Sequence, residues 1–508
     1  MADPDSRLDD TGAEREAAVM SVRGAAAWAM ASQYLSFAIQ FVTSVVVSRF
    51  FLSPPEVGLF SIALAAAMLV AILQDFGLSR YVSGLPRLDR DEIARCSSVA
   101  LVFSLLIACV IALGAWPLAR LYGEPGLTPV LLIIAASYLF LPLSVIPMAL
   151  MARAMAFRGH FAVNVGAAAA QCATALSLAA AGYSTFSLAW ATVAAGLAKG
   201  LIAQGLRPAP PWPLRLRGAG KVARFGSTSS VLYLSGALGT KTPDLIVGKV
   251  LGLFAVGLYS RAVGLADNFR MLVAGAIGSV FFPAFARIRD RGEPLGPAYL
   301  RVAAGYSALI WPGMAGLSLA SEPLVRILFG PGWAGVAPLL ALIALNDIMI
   351  MALPLHMDLP ILMGRMKQLL ALNLLDTALS IGTLALGCLW GLEGAAASRL
   401  VYGLGWLCLY ARFMHRLVQF DVKALLGIYA KSACATLAAL APLAISYLVW
   451  MPPSAMGLAP LLAATAAGVA LWLGALIALR HPVLDDLFGL AAGLPGARRF
   501  ALLARYAG

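Results

Sequence analysis

The chain has 508 residues, of which 61% are apolar and 12% charged, with a mean hydropathy of +0.86. A soluble chain of this length divides into about three domains and carries roughly 25% charge, so the composition excludes a soluble globular protein. The net charge of +13 does not indicate a nucleic-acid binder either, because the basic residues fall mostly in the segments between apolar runs, where the positive-inside rule wants them.

Taken in chain order, the apolar runs are about 20 residues long, the length that spans a bilayer core as a helix. A polar stretch of mixed charge, residues 1–23, comes first and reads as a cytoplasmic tail without a cleavable signal. Spans are expected near 24–49, 57–79, 96–119, 127–152, 161–180, 183–204, 226–251, 255–286, 299–320, 335–363, 366–390, 392–414, 426–451 and 457–480. The fold class is therefore all-α and polytopic, with about fourteen transmembrane helices; twelve is the alternative. The basic linker at 205–225 is stiffened by Pro208, Pro210, Pro211 and Pro213. The tail at 481–508 reads either as an amphipathic helix lying on an anionic leaflet or as a loosely ordered end.

Every second connection is basic, from Arg80, Arg87, Arg90 and Arg95 through Arg153 and Arg158 to Arg412, Arg416 and Lys423. That alternation expects both termini in the cytoplasm. The six cysteines (Cys96, Cys109, Cys172, Cys388, Cys408 and Cys434) sit singly in apolar runs without metal-ligand spacing. Neither a disulfide framework, a metal site nor any other cofactor is implied.

Two halves echo each other. Val57-Gly58-Leu59-Phe60-Ser61 returns as Val256-Gly257-Leu258-Tyr259-Ser260, and Leu150-Met151-Ala152-Arg153 as Leu362-Met363-Gly364-Arg365. Pro142-Leu143 likewise matches Pro354-Leu355, all at an offset of about 200 to 212 residues. That is six spans, an even number, so the copies enter the membrane the same way up. The expected organisation is an N-lobe at 24–204, a C-lobe at 226–416 and two added helices within 426–480.

Polar residues inside spans mark candidate sites, because they are costly in hydrocarbon and face a cavity or one another. The first span carries Gln33, Ser36, Gln40, Thr43 and Ser44 on one stripe, and its repeat partner, the seventh, carries Ser227, Ser230, Lys241 and Asp244. The fifth offers Asn164 and Gln171; its partner, the eleventh, offers Asn373, Asp376, Ser380 and Thr383. Four matching stripes suggest a hydrated cleft between the lobes. The competing reading is helix–helix hydrogen bonding, at about 0.6 kcal/mol per bond.

Lys249, Arg261 and Arg270 add cations near the seventh and eighth spans, with Asp267 positioned to neutralise Arg270. Cations near a cleft suit a pyrophosphate, which needs charge-assisted donors. Asp75, Asp347, Asp358, Glu393 and Arg399 are weaker candidates.

Five segments stand out: Gln74-Asp75-Phe76-Gly77-Leu78, Asp244-Leu245-Ile246-Val247-Gly248-Lys249, Val256 to Ala262, Val280 to Arg287, and Gly330-Pro331-Gly332-Trp333-Ala334. In their order and spacing they resemble signatures of the bacterial polysaccharide transporter (oligosaccharide flippase) family. That family belongs to the multidrug/oligosaccharidyl-lipid/polysaccharide flippase superfamily. The resemblance implies two lobes working by alternating access in a bacterial inner membrane. The implied cargo is a polyprenyl-pyrophosphate-linked oligosaccharide for exopolysaccharide, capsule or lipopolysaccharide synthesis. Implied partners are that lipid-linked substrate, membrane lipids and the polysaccharide polymerase and export machinery, with no nucleic acid.

An enzyme is not expected. The outward loops are short, the carboxylates near them scattered, and no G-x-x-x-x-G-K-[ST] loop is present. The alternatives are a cation-coupled multidrug exporter of the same superfamily and a flippase for the peptidoglycan precursor.

Overall fold

The computed structural model describes residues 22–71, 82, 89–209 and 220–484. The N-terminal tail to residue 21, the Gln74 to Leu78 motif with Asp75, the centre of the basic linker and the tail from 485 lie outside the described residues. Side chains of Ser227 and Ser230 are likewise outside the description.

Sixteen α-helices account for the described chain, as the unbroken apolar runs demand: in hydrocarbon only a helix satisfies its own backbone N–H and C=O groups. They are α1 (Val22–Phe50), α2 (Pro54–Ala71), α3 (Arg90–Tyr122), α4 (Leu127–Tyr138), α5 (Pro142–Arg153), α6 (Phe157–Ala180), α7 (Thr185–Leu206) and α8 (Gly220–Asp290). Then follow α9 (Leu295–Leu319), α10 (Ser321–Phe329), α11 (Val336–Ile350), α12 (Asp358–Leu362), α13 (Met366–Gly387), α14 (Gly391–Val418), α15 (Val422–Val449) and α16 (Leu458–Ala478).

Among the described residues, ten stretches are long and apolar enough to cross a bilayer, or eleven if the bent pair α4 and α5 is one span. These stretches do not confirm the expected fourteen, because they divide the apolar sequence differently in three places. The expected spans at 226–251 and 255–286 are continuous in α8 and divided only at Gly252, whose backbone (φ 87, ψ 179) is non-helical. The eleventh and twelfth form one apolar stretch, Met366–Val418, folded back at a short 3-10 turn, Cys388–Trp390. The tenth is broken into α11 and α12, each too short to be counted.

The chain divides into two compact units, residues 1–249 and 250–508. Inside each, the same packing order recurs. In the first unit α3 packs on α4, α4 on α7, and α6 on α7; in the second α9 packs on α11, α11 on α14, and α13 on α14. The fourth and tenth expected spans, which correspond in the repeat, are both broken where the matched Pro-Leu pairs stand. In the first unit the axis bends by 43° between α4 and α5, with Pro142 opening α5. In the second, α11 ends at Ile350 and a turn containing Pro354 and Leu355 (φ 58) leads to α12. Proline cannot donate the helical hydrogen bond, so it sits where the helix restarts.

Small residues set the closest approaches. A Cβ on Gly468 of α16 would stand 2.3 Å from the Ala439 carbonyl oxygen of α15, so these two helices meet backbone to backbone. In the first unit the starts of α2 and α7 are tied together. The Glu56 carboxylate accepts from the Ser53 N–H (2.7 Å), the Ser53 hydroxyl (2.6 Å) and the Ser184 hydroxyl, while Thr185 Oγ donates to the Glu56 carbonyl (3.0 Å).

Candidate functional site

In the first unit, α1 is apolar enough to span, yet Gln33 and Gln40 are exposed on its surface. Ser36 is half-buried, and its hydroxyl, shielded from solvent, has no hydrogen-bond partner among the described residues. Thr43 turns back to the Ile39 carbonyl (2.7 Å). Asn164 of α6 donates to the hydroxyl of Ser32 (3.1 Å), so it fastens α6 to α1. Gln171 is half-buried on α6.

Lys241 and Asp244 are half-buried on the first limb of α8. Lys249, at the end of that limb, donates to the Leu121 carbonyl (2.5 Å), and the Tyr122 hydroxyl donates to the Leu245 carbonyl (2.8 Å). The C-terminal end of α3 is thereby bound to α8, and Lys249 serves as its cap.

The second unit concentrates charge. Arg270, on the second limb of α8, lies between two carboxylates: Asp267 one turn earlier (2.5 Å) and Asp347 on α11 (3.8 Å). Asp267 is 48% exposed, Arg270 31% and Asp347 only 9%. The trio thus runs from an accessible acid, through the guanidinium, to a buried acid. With all three ionised its charge is −1, a cost in low dielectric unless another positive group or a proton is near. Asn346, beside Asp347, is packed so tightly against α14 that a Cβ on Gly403 would come within 2.6 Å of its Oδ1.

The stripe on α13 is engaged by α14 in antiparallel register. Tyr410 donates to Asn373 Oδ1 (2.7 Å), Tyr402 to Asp376 Oδ1 (2.9 Å) and Arg399 to Ser380 Oγ (2.9 Å). Thr383 turns back to the Leu379 carbonyl (2.8 Å). The Arg399 guanidinium also lies 4.3 Å from the centre of the Tyr402 ring. Trp406 stacks on Tyr410 at 4.8 Å, and His356 meets both rings edge-on at 4.9 and 5.4 Å. Tyr402, Trp406 and Tyr410 recur every four residues, a spacing that sets them on one face of α14.

Other candidates stand apart from these groups. Asp358 and Glu393 are exposed at the starts of α12 and α14. Lys199, a cation well inside α7, is absent from the sequence-based candidates; its signal is that it is the solitary charge of that helix. Among the described residues no three His, Cys, Asp or Glu side chains converge as a metal site.

A bundle of long apolar helices in two units, with paired charge inside one of them, defines a multi-pass membrane protein. The chain belongs to the polysaccharide biosynthesis protein family, whose sequence pattern matches residues 46–338. This agrees with the superfamily to which its motifs pointed.

The succinoglycan biosynthesis transport protein ExoT of Rhizobium meliloti (strain 1021) is 29% identical over 328 residues, 63% of this chain and 65% of that protein. The lipopolysaccharide biosynthesis protein WzxC of Escherichia coli (strain K12) is 22% identical over 332 residues, again 63% of this chain and 65% of the relative. The chain thus spans just under two thirds of the length of these curated relatives. Among solved structures, the lipid II flippase MurJ in an inward closed conformation superposes with a TM-score of 0.69 at 14% identity, over 91% of this chain and 100% of that one. The fold is therefore shared with MurJ.

Proposed function

We propose that this protein moves a polyprenyl-pyrophosphate-linked oligosaccharide across the bacterial inner membrane by alternating access of its two lobes, with both termini in the cytoplasm. It serves polysaccharide synthesis as a transporter and makes or breaks no bond in the cargo. The observation that carries this reading is membership in the polysaccharide biosynthesis family combined with the MurJ-like fold. Support comes from the names of a sequence relative, a succinoglycan transport protein, and of a protein that shares the fold, a lipid II flippase.

The physical requirement is a polar path. Carrying a glycan and a pyrophosphate through hydrocarbon is prohibitive, so protein groups must replace water while the lipid chain stays in the bilayer. Gln33, Ser36, Gln40, Gln171, Lys241, Asp244 and Arg270 are proposed to line that path, with Lys241 and Arg270 supplying donors to the pyrophosphate. Asn164, Asn373, Asp376 and Ser380, whose bonds run to neighbouring helices, are proposed to shape its walls. The two lobes with an intervening linker and two added helices remain the proposed working parts.

Gene deletion tests the reading in cells. Lipid-linked repeat units should accumulate on the cytoplasmic leaflet and surface polysaccharide should disappear, both restored by the wild-type chain. Normal surface polysaccharide in the deletion strain, with new sensitivity to cationic dyes, would favour a cation-coupled drug exporter instead. The two carboxylates around Arg270 are the feature that suits that rival.

A further inference from the structure

The motif Gly330-Pro331-Gly332-Trp333-Ala334 has no part in the path just described, yet it builds one wall of a pocket of about 260 Å³. The pocket lies between the first two turns of α10, the 3-10 turn Pro331–Trp333 and the first turn of α11. Its polar lining is Ser321, Glu322 and Arg326, and its apolar lining includes Pro331, Ala334 and Pro338.

Both walls are held in place. Gly330, at φ 86 and ψ −178, takes a conformation open essentially to glycine alone and aims the chain into the turn. Trp333, 3% exposed, anchors the turn from below, against the Phe329 ring at 6.0 Å and under the Arg261 guanidinium at 5.8 Å. On the opposite wall, Arg326 Nη1 donates to the Ser454 carbonyl (2.6 Å), which orients the guanidinium and leaves it further N–H donors. A pre-formed concavity loses little entropy when it is filled.

We infer that this pocket binds a single uncharged sugar unit of a glycan, with Glu322 accepting from and Arg326 donating to its hydroxyls and the proline and alanine faces packing on its C–H surface. The size fits: pockets for drug-sized ligands run from about 300 to 1,000 Å³, and this one is smaller. The chemistry fits too. A hydroxyl both donates and accepts, so a carboxylate and a guanidinium one helical turn apart are complementary to neighbouring hydroxyls. A purely anionic ligand would be repelled by Glu322, and a purely cationic one by Arg326.

The inference rests on the proposed function for its choice of ligand. It assigns a glycan contact at the loops expected to face outward, separate from the membrane-embedded path.

The test is saturation-transfer NMR on the full chain in nanodiscs with a panel of free hexoses, 6-deoxyhexoses and short lipid-free oligosaccharides. It compares wild type with Glu322→Ala and with Ala334→Trp, which fills the pocket from an exposed position. The expected result is saturable transfer to at least one sugar, weakened about tenfold in Glu322→Ala, the loss of one charge-assisted hydrogen bond, and abolished in Ala334→Trp. No saturable signal across the panel, or a signal that survives Ala334→Trp, overturns the inference. Vesicle flipping measured on the same preparations separates the two readings. Flipping without sugar binding removes the pocket and keeps the transporter, whereas sugar binding without flipping keeps the pocket and removes the transporter.

Discussion

The hydroxyl of Tyr402 on α14 donates to the carboxylate of Asp376 on α13 at 2.9 Å. This bond is the middle rung of a ladder whose other rungs are Tyr410 to Asn373 and Arg399 to Ser380. Three side chains that mark a polar stripe in the sequence are thereby met, in antiparallel register, by three from the next helix. Tyr402→Phe removes one donor and leaves the carboxylate short of a partner. A cost of about 1–3 kcal/mol follows if the carboxylate stays shielded, and about 0.6 kcal/mol, the membrane average, if it finds another donor. The expected outcome is a lower melting temperature in detergent with unchanged transport per folded molecule. Lost transport at full stability would instead make Asp376 a cargo contact.

Glu56 is the knot between the starts of α2 and α7, taking three hydrogen bonds on its carboxylate. Glu56→Ala leaves the Ser53 N–H and two hydroxyls without this acceptor. Charge-assisted bonds contribute about 1.5–3 kcal/mol each where shielded, but Ser53 is exposed, and water replaces part of that loss. The expected destabilisation is about 1–2 kcal/mol, read as a fall in thermal stability. Glu56→Gln, which keeps an acceptor, should lie between the two.

Gly252 breaks α8 with a backbone conformation that side-chain-bearing residues rarely adopt, and a Cβ there would meet nothing within 4 Å. Gly252→Ala therefore isolates the backbone cost, of order 1–3 kcal/mol. Gly264 has equally open space but helical geometry, so Gly264→Ala should be neutral or stabilise by up to about 1 kcal/mol. Thermal melts of the two variants side by side check the contrast.

His481, just past α16, gives the fold a pH dependence. The Val483 N–H donates to its Nδ1 (3.2 Å), so Nε2 carries the hydrogen and faces Ser432, which in turn meets Ser307 at 2.8 Å. A proton on Nδ1 would oppose the Val483 N–H. Burial, then the charge of Lys431, push His481 from its ordinary 6.5 down to about 4.

Between those values the unfolded chain binds the proton and the folded one does not. Stability contributed by the neutral ring is full above about pH 6.5 and declines as the pH falls towards 4. Melting temperatures measured from pH 8 to pH 4 should show this decline in wild type, with a shallower slope in His481→Gln.

The bundle was legible in the sequence because membrane helices announce themselves locally: a run of apolar residues and its flanking charges need no knowledge of distant contacts. Even the break at Gly252 falls between the expected spans at 251 and 255. Span counting was harder where the chain departs from straight crossings, at the fold-back near Cys388 and the broken pair α11 and α12.

Site residues were legible as types and not as partners. Asn373, Asp376 and Ser380 share a face by helical spacing alone, but which helix meets that face depends on packing between spans. Asp347 stood out little in sequence, near a break in an apolar run; its importance comes from Arg270, 77 positions away and 3.8 Å distant in space. The Arg261 and Trp333 motifs, likewise, read as separate until the fold stacked them.

The central claim is transport of a lipid-linked glycan, and its most direct measurement is sidedness in vesicles. Purified wild type, Lys241→Ala and Arg270→Ala are reconstituted with a labelled polyprenyl-pyrophosphate oligosaccharide, and the fraction open to an external glycan-modifying reagent is followed over time. The account predicts rapid equilibration across the bilayer with wild type and slower equilibration with each variant, since each lacks a donor proposed for the pyrophosphate. Label that stays on its original leaflet with folded wild-type protein and a matched native glycan would contradict it.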